Sequence, residues 1–255
     1  MLLNATIEQL RELKLTGMME ALSEQLQDST ATALPFEERL GFLIERESIV
    51  RSNKILHSRL KQSKLHFPQA SIEDVNYDQK RELNKGIIAT LATGEWIRRR
   101  NNLILTGATG TGKSWLACAF AHKACLLGYR AQYWRTTRLL EALDLGRADG
   151  RYINMVKTLA KIDVLILDDW GMVKITGSHQ QHILDVLDDR YQKKSTLITS
   201  QLPPSNWHDQ INDATFADAI MDRLLGEAQQ LELKGPSLRQ KSYDTDSKKL
   251  ETNGG

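Results

Sequence analysis

The chain has 255 residues, 41% of them hydrophobic and 26% charged, with a net charge of +2. This composition is ordinary for a globular protein, with room for one large domain or a medium one plus a small one. So small a net charge leaves any affinity for nucleic acid to local basic patches.

No apolar run is long enough to span a membrane, and Met1-Leu-Leu-Asn-Ala-Thr6 has no signal-peptide pattern, so a cytoplasmic protein is expected. Cys118 and Cys125 lie seven residues apart on one expected helix, which puts both on its inner face as core residues. Their spacing suits neither a metal site nor a disulfide.

Residues 1–66 are predicted to be helical. Ile7, Leu10 and Leu13, then Met18, Leu22 and Leu26, then Phe36, Leu40, Leu43, Ile44 and Val50 recur at steps of three and four. Pro35 suits the first turn of the third helix. This is little apolar surface for an independent core, so a small helical domain that packs on something is expected. Over 51–64 the third helix carries Arg51, Lys54, Arg59, Lys61 and Lys64 and no carboxylate. Such a face suits a phosphate backbone, or equally a solvated helix surface.

Residues 67–77, beginning Phe67-Pro68, read as a linker. A helical pattern resumes from Asp78 to Arg100 through Leu83, Ile87, Ile88, Leu91 and Trp96. Leu83 and Ile87 are candidates to wall a base, with core packing as the plainer reading.

Leu103–Leu105 is predicted to be a short strand, followed by Gly107-Ala108-Thr109-Gly110-Thr111-Gly112-Lys113-Ser114 and a helix opening at Trp115. This is the phosphate-cradling P-loop in its strand–loop–helix setting. The glycines let the backbone approach a phosphate chain closely, and the helix N-terminus supplies donors and positive partial charge. Lys113 is expected to reach the β- and γ-phosphates, and Ser114 to ligate Mg²⁺.

A second strand is expected at Arg130–Trp134, then helices around 137–145 and 151–160 joined by Gly146–Gly150. Arg135, Arg138, Arg147, Arg151 and Lys157 make this region a second basic cluster, which scattered surface charge explains equally well. Val164-Leu-Ile-Leu-Asp168-Asp169 reads as a buried parallel strand ending in two carboxylates, where ligands sit in open parallel sheets. Asp168 fits the carboxylate that holds Mg²⁺ through water, and Asp169 is placed to orient or deprotonate an attacking water.

A helix over Ser178–Lys193 and a strand over Ser195–Gln201 follow. Gln201 is chosen as the polar group that senses the γ-phosphate, with Ser200 as rival and an ordinary strand-end residue as an equal alternative. Phe216–Leu225 is a helix carrying Arg223, and Leu231–Leu233 a last strand. The polar residues 235–255 are expected to be disordered.

A P-loop, an apolar strand ending in Asp-Asp, a Thr-Ser-Gln strand end and an Asp-Arg helix, in this order, resemble the AAA+ ATPases of the initiator and helicase-loader branch. Glu95-Trp96-Ile97, the P-loop, Leu167-Asp-Asp-Trp-Gly171, Ile198-Thr-Ser-Gln-Leu202 and Gly235-Pro-Ser-Leu-Arg239 resemble the IstB-like helper ATPases, encoded beside a transposase in bacterial insertion sequences.

The resemblance implies an α/β P-loop NTPase: a five-stranded parallel sheet between helices at 78–234, preceded by the helical domain. It further implies ATP and Mg²⁺ as cofactors, with duplex DNA, the transposase of the same insertion sequence and further copies of the chain, in a ring or spiral, as partners. The chain would then be an ATPase that assembles on DNA through 51–64 and 135–157, recruits or activates the transposase, and is dismantled by hydrolysis. Arg223 matches the arginine finger that reaches a neighbour's γ-phosphate. Two features depart from the AAA+ pattern. Asp169 stands where many AAA+ enzymes have Glu, which is expected to slow turnover. The residues after Leu233 leave no room for the usual separate C-terminal lid, so Arg239 is a candidate for the lid's nucleotide-sensing Arg but reads more readily as part of the polar tail. A replicative-helicase loader and a nucleotide-gated scaffold are the alternative functions. A small-molecule kinase would need an acceptor pocket and an Arg-bearing lid, and the sequence offers neither.

Overall fold

The computed structural model describes residues 2–78 and 81–238, so Arg239 and the polar segment after it lie outside the described residues. The chain divides into two compact units, Met1–Arg59 and Leu60–Gly255.

The first unit is helical, with α1 (Leu2–Glu12), α2 (Thr16–Gln27), α3 (Ser29–Thr32) and most of α4 (Phe36–Ser63). Its best-defined contact is polar. The Glu47 carboxylate on α4 accepts from the backbone N–H groups of Gly17 (2.7 Å) and Met18 (3.2 Å), satisfying donors that the start of α2 leaves open. Arg51 binds its other oxygen at 2.7 Å. The Arg51 bond, outweighing the opposing effect of burial, holds the Glu47 carboxyl below its usual range. Gly17 permits this approach, because a Cβ there would lie 2.7 Å from the Glu47 Cα. Apolar burial is sparse. Phe36 and Ile44, counted by periodicity on an apolar face, are 70% and 56% exposed. The pattern marked helix correctly, but among the described residues of this unit nothing covers those side chains.

The second unit is a parallel sheet of β1 (Leu103–Gly107), β2 (Ala131–Arg135), β3 (Val164–Trp170), β4 (Ser195–Ser200) and β5 (Gln229–Leu233), in the order β2-β3-β4-β1-β5. Strand residues alternate between faces. Ile104, Leu165, Leu167 and Ile198 join a core with α8 (Thr136–Ala148), α9 (Tyr152–Ala160), α10 (Ser178–Arg190) and α11 (Ala214–Leu225). Leu103, Leu105, Ile166 and Leu197, also fully buried, point to the other face. α7 (Lys113–Leu126), nine of whose fourteen residues are buried, packs against β1 to β4. Each such side chain contributes about 1.5–3 kcal/mol on burial. Cys118 and Cys125 are free, buried members of α7. Among the described residues no helix is long and apolar enough to cross a membrane.

Three local expectations change. The pattern over 78–100 resolves into α5 (Lys85–Ala92) and α6 (Glu95–Arg98). Asn84 caps α5 by accepting from Gly86 and Ile87, and left-handed Gly94 separates the two helices. Ile88 is buried in the core while Ile87 is 47% exposed and Leu83 half-buried. Gly146, expected in a loop, belongs to α8, and a Cβ there would meet Met155 Sδ at 2.6 Å. It is a contact glycine between α8 and α9, and the turn itself falls at Gly150. The helix expected to reach Lys193 stops at Arg190.

Candidate functional site

The strand order brings the site together. β4 lies between β1 and β3, so the carboxyl ends of these three strands carry, side by side, the Gly-rich loop, the two carboxylates and the Ser200-Gln201 end.

The loop after β1 is held from several sides. Gly107 adopts φ +142°, and a Cβ there would run into the Leu233 carbonyl oxygen of β5. At Gly110 a Cβ would collide with Ser237. Thr111 Oγ1 donates to the Ala108 carbonyl (2.8 Å), and the buried Arg81 donates to the Thr111 carbonyl at 2.6 Å. Burial, partly offset by Asp78, lowers the Arg81 pKa. Leu238 N–H donates to the Gly110 carbonyl at 2.9 Å. Residues 235–238, expected to be disordered, therefore lie against the loop, where that bond and the Leu238 side chain anchor them. Lys113 opens α7 and is buried, its Nζ donating to the carbonyls of Gly107 (2.8 Å) and Ala108 (2.9 Å).

The two carboxylates diverge at an irregularity in β3. Leu167 pairs with Ile198, but the next pairing is Trp170 with Ser200, so β3 carries one extra residue there. Asp169 takes φ +60° within this bulge, a conformation Asp tolerates better than most residues. Asp168 is buried, its Oδ1 accepting from Thr199 Oγ1 (2.5 Å) and its Oδ2 from the Tyr133 hydroxyl (2.6 Å). Burial first, and then Asp168, push the Tyr133 phenol well above its usual range, so it remains a donor. Asp169 is more open, 4.0 Å from Arg135 Nε.

A cavity of about 700 Å³ lies over this edge. Thr109, Gly110, Gly112, Lys113, Ser114 and Trp115 line one part, and Asp169 and Gln201 another. Asp168 sits behind that lining. The structure separates Gln201 from its rival: Gln201 Oε1 accepts from Thr109 Oγ1 at 2.7 Å, whereas buried Ser200 donates to the Trp170 carbonyl and accepts from Trp207 Nε1. Leu83 and Ile87 are not in the lining, and Phe67, Arg135, Met172 and Leu238 are. Sequence reasoning missed Thr199, Tyr133 and Arg81 as supports. Only the alternation of β4, which turns Thr199 to the face opposite Ile198, carried any signal.

Arg223 stands elsewhere. Asn102, just before β1, donates to the carbonyls of Arg223 (2.9 Å) and Leu224 (3.0 Å), which places Arg223 near the amino-terminal edge of the sheet. Its side chain pairs with Asp188 and donates to the Ala219 carbonyl. It lines a separate cavity of about 400 Å³ with Arg99, Arg100 and Lys194.

The basic candidates also divide. Arg51, Lys54, Lys61 and Lys64 are exposed and Arg59 half-buried. Arg138 is paired with Glu141 and Arg151 with Asp149, while Arg147 lies over the Tyr152 ring and Lys157 is exposed. Arg135, assigned to this cluster by sequence, faces the loop cavity instead.

Comparison with known proteins accords with this geometry. A family model described as IstB-like ATP binding protein matches residues 8–245. A putative insertion sequence ATP-binding protein, y4pL, of Sinorhizobium fredii is 44% identical, covering 94% of this chain and 97% of that protein. The putative ATP-binding protein of insertion sequence IS1162 from Pseudomonas fluorescens is 47% identical over 80% of this chain and 89% of its own. In fold, the chain is similar to the DnaC helicase loader, with a TM-score of 0.55 and 17% identity over 65% of this chain and 97% of that one. AMPPCP-bound DnaA from Aquifex aeolicus gives a TM-score of 0.55 and 19% identity over 74% and 57%. The chain belongs to the IstB-like ATP-binding proteins of insertion sequences, built on the fold it shares with DnaA and DnaC.

Proposed function

We propose that this chain is an ATP-hydrolysing helper of transposition. It assembles on duplex DNA and recruits or activates the transposase of its own insertion sequence, and hydrolysis drives disassembly. The observation that supports this best is the convergence of the 107–114 loop, Asp169 and Gln201 on one cavity, with Asp168 buried behind it, in a member of this family.

In this reading the loop amides and the α7 N-terminus cradle the phosphates of ATP, and Lys113 turns its ammonium to the β- and γ-phosphates. Asp169, on the cavity wall, orients the attacking water and accepts its proton. Being one methylene shorter than Glu, it does so slowly until DNA or a partner adjusts the site. Gln201 contacts the γ-phosphate. The hydroxyl of Ser114 and the carboxylate of Asp168 are hard oxygen donors that suit Mg²⁺. Both Asp168 oxygens already accept hydrogen bonds, which favours a water-mediated role. Bound there, Mg²⁺ would neutralise charge on the phosphates. Arg223, far from its own loop cavity, serves a neighbouring subunit's γ-phosphate.

The helical 1–66 region is the proposed DNA- or partner-binding domain. Arg51, Lys54, Arg59, Lys61, Lys64, Arg147 and Lys157 contact phosphates, giving weak sequence preference and steep salt dependence. Arg51, Arg138 and Arg151, each already paired with a carboxylate, contribute less than the others. Steady-state ATP hydrolysis with and without long duplex DNA, with molecular mass followed by light scattering, tests this reading. Both are expected to rise with DNA and to collapse in Arg223→Ala. No response at low salt would overturn it in favour of a helicase loader, the second reading, which the fold shared with DnaC supports.

A further inference from the structure

Asp168 is gripped by two hydroxyls that belong to different strands. Thr199 comes from the neighbouring β4, inside the sheet. Tyr133 comes from β2, the edge strand, and reaches Asp168 Oδ2 at 2.6 Å. Its ring is not simply packed in the core. The His66 imidazole stacks on it, with centroids 5.9 Å apart and planes 16° from parallel. His66 follows the end of α4 and lies two residues beyond Lys64, which has φ +50°. The next residue, Phe67, lines the loop cavity. A short segment thus carries, in order, an exposed cation, an aromatic contact to the residue that grips Asp168, and a wall of the nucleotide cavity.

We infer that Tyr133 is a positioning residue for Asp168, and that His66 stacked on it ties that position to the segment following α4. This rests on the proposed reading of Asp168 as the metal carboxylate. Two rotatable bonds, Cα–Cβ and Cβ–Cγ, separate the carboxylate plane from the strand. With both oxygens held, only one orientation is available for the water shell of a cation. Removing the Tyr133 hydroxyl leaves Oδ2 without that donor while Thr199 still holds Oδ1, so the carboxylate is retained but loosely aimed. Groups of this kind, one bond behind a ligand, commonly alter metal affinity by factors of ten or more. The stacked His66 limits where the phenol ring can move, so displacement of the 64–67 segment, for instance when Lys64 is drawn to a phosphate, reaches Asp168 through two contacts.

The test is a titration of Mg²⁺ against binding of a fluorescent ATP analogue, compared with binding of the same analogue in chelator. Tyr133→Phe is expected to leave Mg²⁺-free affinity within about twofold and to raise the half-saturating Mg²⁺ concentration roughly tenfold, the order expected for one hydrogen bond to a charged group. His66→Ala, at an exposed site where folding is not at stake, is expected to shift it in the same direction by a smaller factor, and His66→Phe, which keeps a ring on Tyr133, to restore it. Asp168→Asn is the control and should abolish the Mg²⁺ dependence. If Asp168→Asn abolishes it but Tyr133→Phe leaves the half-saturation unchanged, the role of Tyr133 is overturned. An unchanged His66→Ala overturns the link to the α4 segment. If even Asp168→Asn titrates normally, it is the metal-carboxylate reading that falls.

Discussion

In the second unit the central residues of β1, β3 and β4 are sealed from water, and the polar groups that matter project from the strand ends with defined partners. In the first unit Leu13, Leu26, Leu34, Phe36, Phe42, Ile44, Ile49 and Ile55 are all substantially exposed, and the best-defined contact is a carboxylate capping a helix. The difference is one of architecture. A parallel sheet offers two faces that helices cover, and the resulting dense packing can hold a side chain to a few tenths of an ångström. The helices of the first unit leave more of their apolar side chains uncovered, which suits a region whose proposed work is to meet DNA or protein.

This contrast can be broken in graded steps. The largest effect is expected from Lys113→Ala, which removes the buried ammonium at the loop and should weaken binding of a fluorescent ATP analogue about 100-fold, the order of a lost charge-assisted contact. Ile166→Ala, in the middle of β3, should cost about 2–5 kcal/mol in denaturant unfolding of the second unit. Gly17→Ala should cost the first unit about 1–3 kcal/mol by forcing α2 off α4, seen as faster proteolysis within residues 1–59, with ATP binding unaffected. Loss of nucleotide binding in that variant would mean the units are not separable in function.

Acid should act on the same α2–α4 contact. The folded pKa of Glu47 is depressed, so its contribution is complete above the ordinary value near 4.5 and is lost as pH falls through the depressed one. Proteolysis within 1–59 should therefore accelerate in that acid range in the wild type. Glu47→Gln should be susceptible already at neutral pH, and a wild-type profile flat through the acid range would contradict the assignment. The smallest effect belongs to Phe36→Ser, within about 0.5 kcal/mol, because that ring is already in water.

The residues that line the candidate cavity are largely legible in the sequence. The eight residues 107–114 and the run Val164–Asp169 each carry their own chemistry in consecutive positions, so order and spacing sufficed. What stayed hidden depends on distant residues meeting. Arg81 is thirty positions from Thr111, and Tyr133 and Thr199 reach Asp168 from two other strands. Arg135 was grouped with basic neighbours along the chain, but the end of β2 turns it towards Asp169. Gly146 was misread because glycine marks a loop in the sequence and a close helix contact in space. In the first unit the three-to-four periodicity of Phe36 and Ile44 reported helix correctly and burial wrongly, since periodicity says which residues share a face and not whether anything covers it.

In the proposed function the nucleotide site is completed by a neighbour, with Lys113 and Arg223 acting from different subunits. Mixing two inactive variants tests this directly. Lys113→Ala keeps Arg223, and Arg223→Ala keeps the loop. On duplex DNA the mixture is expected to regain ATP hydrolysis well above the sum of the two alone, because some neighbouring pairs would combine an intact loop with an intact Arg223. A mixture no more active than that sum, with light scattering confirming that the two variants co-assemble, would contradict the shared site.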